Sequence, residues 1–69
     1  MIITVTNPIW GITFQYQTAV RPNPGDNLAI VRSHIMSNIE EASLLIGDEF
    51  RVTKVDGAAV EIKDLDSGV

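Results

Sequence analysis

The sequence predicts an α+β domain with the order ββαββ, in which one helix packs on one face of a four-stranded, largely antiparallel or mixed sheet. The first observation is an apolar stripe between Asn27 and Ile46 whose members recur at steps of three and four residues, the period of one helix face. The stripe consists of Leu28, Val31, Ile35, Ile39, Ala42 and Ile46. The second observation is apolar and polar alternation on both sides of the stripe, which is typical of strands with one buried face.

Length and composition predict a single domain over residues 1–69. A chain this short buries only about 60% of the surface that its unfolded form exposes, so a homodimer would add stability. The chain has no cysteine, no basic leader segment and no apolar run long enough to span a membrane, so we expect a cytoplasmic protein. Its net charge of −4 disfavours general attraction to nucleic acids and anionic membranes.

Two strands are predicted before the helix. Residues 1–6 alternate and are rich in β-branched side chains, and residues 12–20 alternate with the aromatic side chains on one face. Pro8 cannot donate to a strand ladder and Gly11 can take a positive φ, so the chain should reverse between the strands. We therefore expect a hairpin whose aromatic face receives the helix.

The helix is introduced by a stiff connector over residues 21–25, which contains two prolines. Asp26 or Asn27 can cap its first turn. An alternative stays open, because Ser37 and Glu40 form the pattern of a capping box and would break the element into two near residue 37.

A second hairpin is predicted after the helix stops at Gly47. Residues 50–55 alternate, the Asp-Gly pair at 56–57 is a strong hairpin signal, and residues 58–63 return with an apolar pair on the buried side. Residues 64–69 read as a flexible tail.

The first half of the chain resembles the ubiquitin-like β-grasp family. The resemblance lies in Met1-x-Ile3-x-Val5, in the turn closed by Gly11, and in the stretch from Val20 through the proline connector to Leu28, Val31 and Ile35. It implies a first strand that lies centrally beside the last, and a binding scaffold. The conjugating members end in a Gly-Gly tail, which this chain lacks, so covalent transfer is not implied. A rival resemblance, to part of a small SH3-like barrel, covers residues 45–50 and the following hairpin.

Catalytic, cofactor and metal signatures are absent from the sequence. His34 is the single histidine and there is no cysteine, so no pattern of metal ligands is visible. On a helical wheel His34, Asn38 and Glu41 would share one flank, which is either a partner-contacting cluster or, more commonly, a solvated face. We therefore expect a protein that is not an enzyme and needs no cofactor.

Two groups of apolar residues are candidates for contact with a partner. Ile9 and Trp10 lie in a turn that would normally be polar, where they either anchor a protein contact or fold back onto a small core. Ile30, Met36 and Leu44 project away from the helical stripe, so they either pack under the final segment or meet another subunit.

These observations favour a small non-enzymatic protein-interaction module, an inhibitor or adaptor of the size that phages and mobile elements encode. The expected partner is another protein, and a second copy of the chain is one candidate. The expected contact residues are Ile9, Trp10, Ile30, His34, Met36, Glu41 and Leu44. The alternative is an SH3-like nucleic-acid-binding domain in which Arg51, Lys54 and Lys63 share one sheet face, although acidic residues interleave with them.

Overall fold

In the computed structural model, which describes residues 1–65, the chain forms a curled, mixed sheet of five strands with short helical segments in one connection. The strands are β1 Ile2–Asn7, β2 Ile12–Gln17, β3 Asn27–Ala29, β4 Glu49–Asp56 and β5 Ala59–Asp64. Between β3 and β4 lie a 3₁₀ helix Arg32–His34, the α-helix α1 Ile39–Ala42 and a second 3₁₀ helix Ser43–Leu45. Within these residues no helix is long and apolar enough to cross a membrane.

The sheet has the strand order β2-β1-β5-β4-β3. The pairs β1–β2, β4–β5 and β3–β4 are antiparallel, whereas β1 and β5 run parallel to each other. Parallel pairing places the tip of the β1–β2 hairpin at the same end of the sheet as the end of β5. This shared end holds the candidate site described below.

The core lies on one face of the sheet, as the alternation predicts for each long strand. The sheet contributes Ile3, Val5, Ile12, Phe14, Tyr16, Phe50, Val52, Val60 and Ile62. The connection between β3 and β4 contributes Ile30, Ile35, Ala42 and Leu45. The residues between them on the strands are mainly Thr, Gln, Lys and Arg, so the other face of the sheet is polar.

The prediction of four strands with one long helix is wrong. The predicted helix 27–46 is replaced by β3, two 3₁₀ helices and the four-residue α1, and β3 adds a fifth strand to the sheet. Of the predicted stripe, Ile35 and Ala42 are buried, whereas Val31 and Ile39 are largely exposed. A segment whose apolar residues have the period of a helix therefore forms a strand followed by short helical turns.

Strand pairing explains why this segment is not a helix. Leu28 in β3 lies opposite Phe50 in β4. Ile30 continues the contact, since its N–H donates to the carbonyl of Asp48 at 3.2 Å and its carbonyl accepts from the N–H of Gly47 at 3.2 Å. Asn38 adopts a left-handed conformation with φ 54°, through which a right-handed helix cannot continue. The serines, His34 and Asn38 that lie between are weak helix formers, so tertiary pairing overrides a marginal local preference.

The alternative break near residue 37 matches the position at which α1 begins, but the capping box does not form. Asn38 occupies the N-cap position without a side-chain capping bond. The Ser37 hydroxyl instead accepts a hydrogen bond from the backbone N–H of Gln15 at 3.0 Å. Ser37 therefore fastens the connection to β2 and does not start a helix.

The two outer strands are brought together by Tyr16, which makes the sheet curl. The Tyr16 hydroxyl in β2 donates to the carbonyl of Ala29 at 2.9 Å and accepts from the N–H of Val31 at 2.9 Å. Ile35 forms an isolated bridge with Tyr16, and the N–H of Met36 donates to the carbonyl of Gln15 at 2.7 Å. The chain after β3 thus covers much of the edge of β2, which would otherwise be open for pairing with another chain.

The ends of the strands differ from prediction in two places. β2 ends at Gln17 and not at residue 20, because β1 offers no partner beyond Met1, whose carbonyl accepts from the N–H of Thr18 at 2.9 Å. Asp64, the first residue of the tail predicted over residues 64–69, belongs to β5. Residues 66–69 of that tail lie outside the described residues.

Candidate functional site

The tip of the β1–β2 hairpin is organised by Asn7, a polar residue that is fully buried. Its side-chain oxygen accepts from the backbone N–H groups of Ile9 at 3.1 Å and Trp10 at 3.3 Å. Its carbonyl accepts from the N–H of Gly11 at 2.9 Å, and Gly11 takes φ 70°, a conformation that suits glycine. Asn7 therefore supplies the acceptors for three N–H groups of the exposed turn, and it fixes the backbone of the tip.

Asp64 at the end of β5 holds the same tip from the other side. One carboxylate oxygen accepts from the Asn7 side-chain amide at 3.3 Å, and the other accepts from the indole N–H of Trp10 at 3.3 Å. The contact is available because β1 and β5 run parallel and β5 continues past its last pairing with β1, Thr6 with Glu61, as far as Asp64. Trp10 is thus held at both its backbone and its ring.

The side chains at this fixed tip are nevertheless exposed. Ile9 is 69% exposed and Trp10 is 53% exposed. Neither residue belongs to the buried cluster, so they do not fold back onto the core, and their contact with a partner stays a prediction. Large apolar side chains held rigidly on a rim are typical of protein contacts.

An open groove of about 530 Å³ lies beside the tip, at the same end of the sheet. It is lined by Gly47, Asp48, Glu49, Phe50, Asp64 and Leu65. Asp64 is common to both features, since it binds Trp10 and lines the groove. We call Ile9, Trp10 and the groove residues together the tip–groove surface.

The charged residues that line the groove are acidic. Among the described residues, those that line it include three carboxylates and no basic side chain. Arg51 and Lys63 lie opposite each other in β4 and β5, one residue away from Phe50 and Asp64. Because successive side chains of a strand point to opposite faces, these two cations lie on the polar face of the sheet together with Glu49, whereas Phe50 and Asp64 face the other side.

The second predicted contact group is only partly on the surface. Ile30 is 2% exposed and packs in the core, so the expectation that it projects towards a second subunit is wrong. The cause is β3, which places Ile30 beside β4 and not on the outer flank of a helix. Met36 and Leu44 are exposed, as are His34 and Glu41.

The predicted flank of His34, Asn38 and Glu41 does not exist as one helix face. His34 lies in the first 3₁₀ helix and its ring packs against Tyr16 with the centroids 5.6 Å apart. Asn38 has the left-handed backbone that separates this segment from α1, where Glu41 lies. Glu41 lines a different shallow hollow, formed with residues 37–40.

Asn7, Asp48, Glu49 and Asp64 were missed by sequence reasoning. The Asn-Pro pair at the end of an alternating strand was a usable sign that Asn7 accepts bonds from a turn. No local signal joins Trp10 to Asp64, because the two are 54 residues apart in the chain.

No group of three or more His, Asp or Glu side chains within residues 1–65 is arranged to hold a metal ion. The chain matches no known protein-family model, and neither a curated protein nor a solved structure shows significant similarity to it. The ubiquitin-like resemblance therefore stays a prediction, and the case for function depends on the tip–groove surface.

Proposed function

We propose that this protein is a small binding module, of the inhibitor or adaptor kind and without enzymatic activity, that contacts another protein through its tip–groove surface. The observation that carries the proposal is the exposure of Ile9 and Trp10 on a turn whose backbone is fixed by a buried asparagine.

Rigidity is what distinguishes this tip from an ordinary exposed loop. Ordering a flexible side chain on binding costs about 0.5–1.5 kcal/mol, and a side chain already held in place avoids most of that cost. Trp10 is held by its ring nitrogen and its backbone, so its conformation should change little on association. Tryptophan is also among the residues that most often dominate the energy of protein interfaces.

A nucleic-acid-binding domain is the second candidate, because Arg51 and Lys63 are direct neighbours across β4 and β5. The third cation of the predicted set, Lys54, lies opposite Glu61, and the net charge is −4. Two adjacent cations on an acidic protein give weak attraction to a phosphate backbone. Tight binding in a gel shift that weakens steeply with salt would favour this candidate over ours.

A selection from a random peptide library tests the proposal. Peptides are first selected with the wild-type protein. Their affinities are then measured for the wild type, for Trp10→Ala and for Val20→Ala. Val20 is the matched control, since it is 76% exposed and lies beyond the opposite end of β2. We expect peptides that bind wild type and Val20→Ala but lose at least about tenfold in affinity for Trp10→Ala, the loss of one anchoring side chain. Equal binding to all three proteins would contradict the proposal.

A further inference from the structure

We propose that the partner covers the tip of the β1–β2 hairpin with uncharged apolar side chains, in a water-free contact to which the tip donates no hydrogen bond. This inference rests on the proposed function and adds the chemistry of the partner segment to it. Its structural basis is an exposed apolar tip without a free donor. Pro8 carries no backbone N–H, and each N–H of residues 9–11, like that of the indole, is bonded within the chain.

The acceptors of these N–H groups lie inside the molecule. The backbone N–H groups of Ile9 and Trp10 donate to the side-chain oxygen of Asn7 at 3.1 and 3.3 Å. The N–H of Gly11 donates to the Asn7 carbonyl at 2.9 Å, and the indole N–H donates to Asp64 at 3.3 Å. A partner that surrounds the ring therefore meets no donor that needs an acceptor from it.

The turn of the second hairpin shows that this pattern is not general. Gly57 and Ala58 form the turn between β4 and β5, and neither of their backbone N–H groups donates a hydrogen bond within residues 1–65. Such exposed N–H groups are bonded to water, and a partner that covers them has to supply acceptors in place of that water. The tip of the first hairpin has no such requirement, so apolar side chains can cover it without leaving an unpaired donor.

Charge does not select the ligand at the tip itself. None of residues 8–11 is charged, and the carboxylate of Asp64 accepts hydrogen bonds from Asn7 and from the indole. The attraction at the tip is therefore the removal of apolar area from water, which salt does not screen. Binding should follow the apolar content of the ligand and change little with ionic strength.

The area of the tip fits a short segment of another protein. A tryptophan buries about 150–250 Å² when fully covered, so the 53% exposure of Trp10 leaves about 80–130 Å², and the more exposed Ile9 adds a similar area. Two tips packed together would bury roughly 300–500 Å² in total, well below the roughly 1,200–2,000 Å² of a stable interface between two copies. An anionic bilayer would repel a chain with a net charge of −4.

Two uncharged synthetic peptides of alternating residues, Leu/Gln and Ser/Gln, test the inference against the full chain. Trp10 is the single tryptophan, so its fluorescence reports contact with the tip directly. We expect the Leu/Gln peptide to bind at least about tenfold more tightly than the Ser/Gln peptide, with a Kd that changes less than about threefold between about 0.05 and 0.5 M salt. Equal binding of the two peptides, or a larger change with salt, would overturn the inference.

Hydrogen exchange in the free protein tests the bonding on which the inference depends. The turn of the second hairpin is the matched control, since its N–H groups are exposed and donate no hydrogen bond within residues 1–65. We expect the amides of residues 9–11 to exchange at least about tenfold more slowly than those of Gly57 and Ala58, after correction for local sequence. Equal exchange at the two turns would show that the N–H groups of the tip are bonded to water, and would overturn the inference.

Failure of this inference is distinguishable from failure of the proposed function. Peptides from the library selection that depend on Trp10 but bind through charged residues would overturn the apolar contact and keep the tip as a binding site. Leu/Gln binding, measured by calorimetry, that is unchanged by Trp10→Ala would overturn the tip itself. A blue shift of Trp10 fluorescence with phosphatidylcholine vesicles would assign the tip to a bilayer and overturn the protein partner.

Discussion

Replacing Tyr16 by Phe tests whether the hydroxyl that joins the two outer strands holds the sheet in its curled form. The substitution keeps the ring and removes two hydrogen bonds, one to the carbonyl of Ala29 and one from the N–H of Val31, both 2.9 Å long. Each such bond contributes about 0.5–1.5 kcal/mol net. Because Ala29 and Val31 are exposed, water can replace part of the loss, and we expect about 1–2 kcal/mol of destabilisation.

A loss of this size is easily measured in a domain of 69 residues. At about 0.05–0.15 kcal/mol per residue the whole domain is stable by about 3–10 kcal/mol, and 1 kcal/mol corresponds to roughly 4–8 °C in Tm. Urea unfolding followed by circular dichroism should show a lower midpoint with an unchanged slope. Hydrogen exchange of the Val31 amide should accelerate more than that of amides in β1.

Thr13→Val is the matched control for Tyr16→Phe. It removes a hydroxyl from the same strand, but that hydroxyl bonds only with Thr6, at 3.1 Å on the exposed face. Its effect should stay within about 0.5 kcal/mol. If Tyr16→Phe is as mild as Thr13→Val, the hydroxyl does not join the outer strands and our account of the curl is refuted.

Three further substitutions test other parts of the structure. Asn7→Ala removes the acceptor of two backbone N–H groups and the donor to Asp64, so we expect the free energy of unfolding to fall by about 2–3 kcal/mol. NMR relaxation should show faster motion of the tip, and an unchanged tip would contradict the role of Asn7. Ile30→Glu should leave the chain unfolded, whereas Ile30→Val should fold with a loss of about 0.5–1.5 kcal/mol; sedimentation of Ile30→Glu as a folded monomer would show that Ile30 is not in the core. Asn38→Ala should be about 1 kcal/mol less stable than Asn38→Gly in urea unfolding. Both variants lose the hydrogen bond to the carbonyl of Thr13, but only alanine disfavours the left-handed backbone. Equal stability of the two variants would contradict the φ of 54° at residue 38.

The four long strands were predictable because their signals are local. Alternation and turn residues located each strand near its observed range, and the Asp-Gly turn is present with Gly57 at φ 60°. The fifth strand and the loss of the helix were not predictable in the same way. Leu28 pairs with Phe50, and no residue near Leu28 in the sequence indicates that pairing. The apolar residues of this segment recur at three- and four-residue steps, which favours a helix, but the pairing of β3 with β4 prevents one from forming.

The candidate site also combines residues that local sequence indicates with residues that only the tertiary structure brings together. Ile9 and Trp10 stood out in the sequence because large apolar residues are unusual in a short turn, and the structure leaves both exposed. The residues that give the tip its rigidity and the groove its charge could not be found from spacing. Asp64 reaches the tip only because β5 lies parallel to β1, which is a property of the sheet and not of either strand.

The exposure of Trp10 is costly for so small a domain, and that cost favours a binding role. A tryptophan buries about 150–250 Å² when fully covered, which at about 25 cal/mol per Å² is worth roughly 4–6 kcal/mol. With 53% of the side chain still in water, about 2–3 kcal/mol of that stabilisation is not realised in the free protein. Asn7 and Asp64 hold the ring in this position, although a looser turn could let it fold towards the core. The same 2–3 kcal/mol, about a 30- to 150-fold change in affinity, becomes available to a partner that covers the ring.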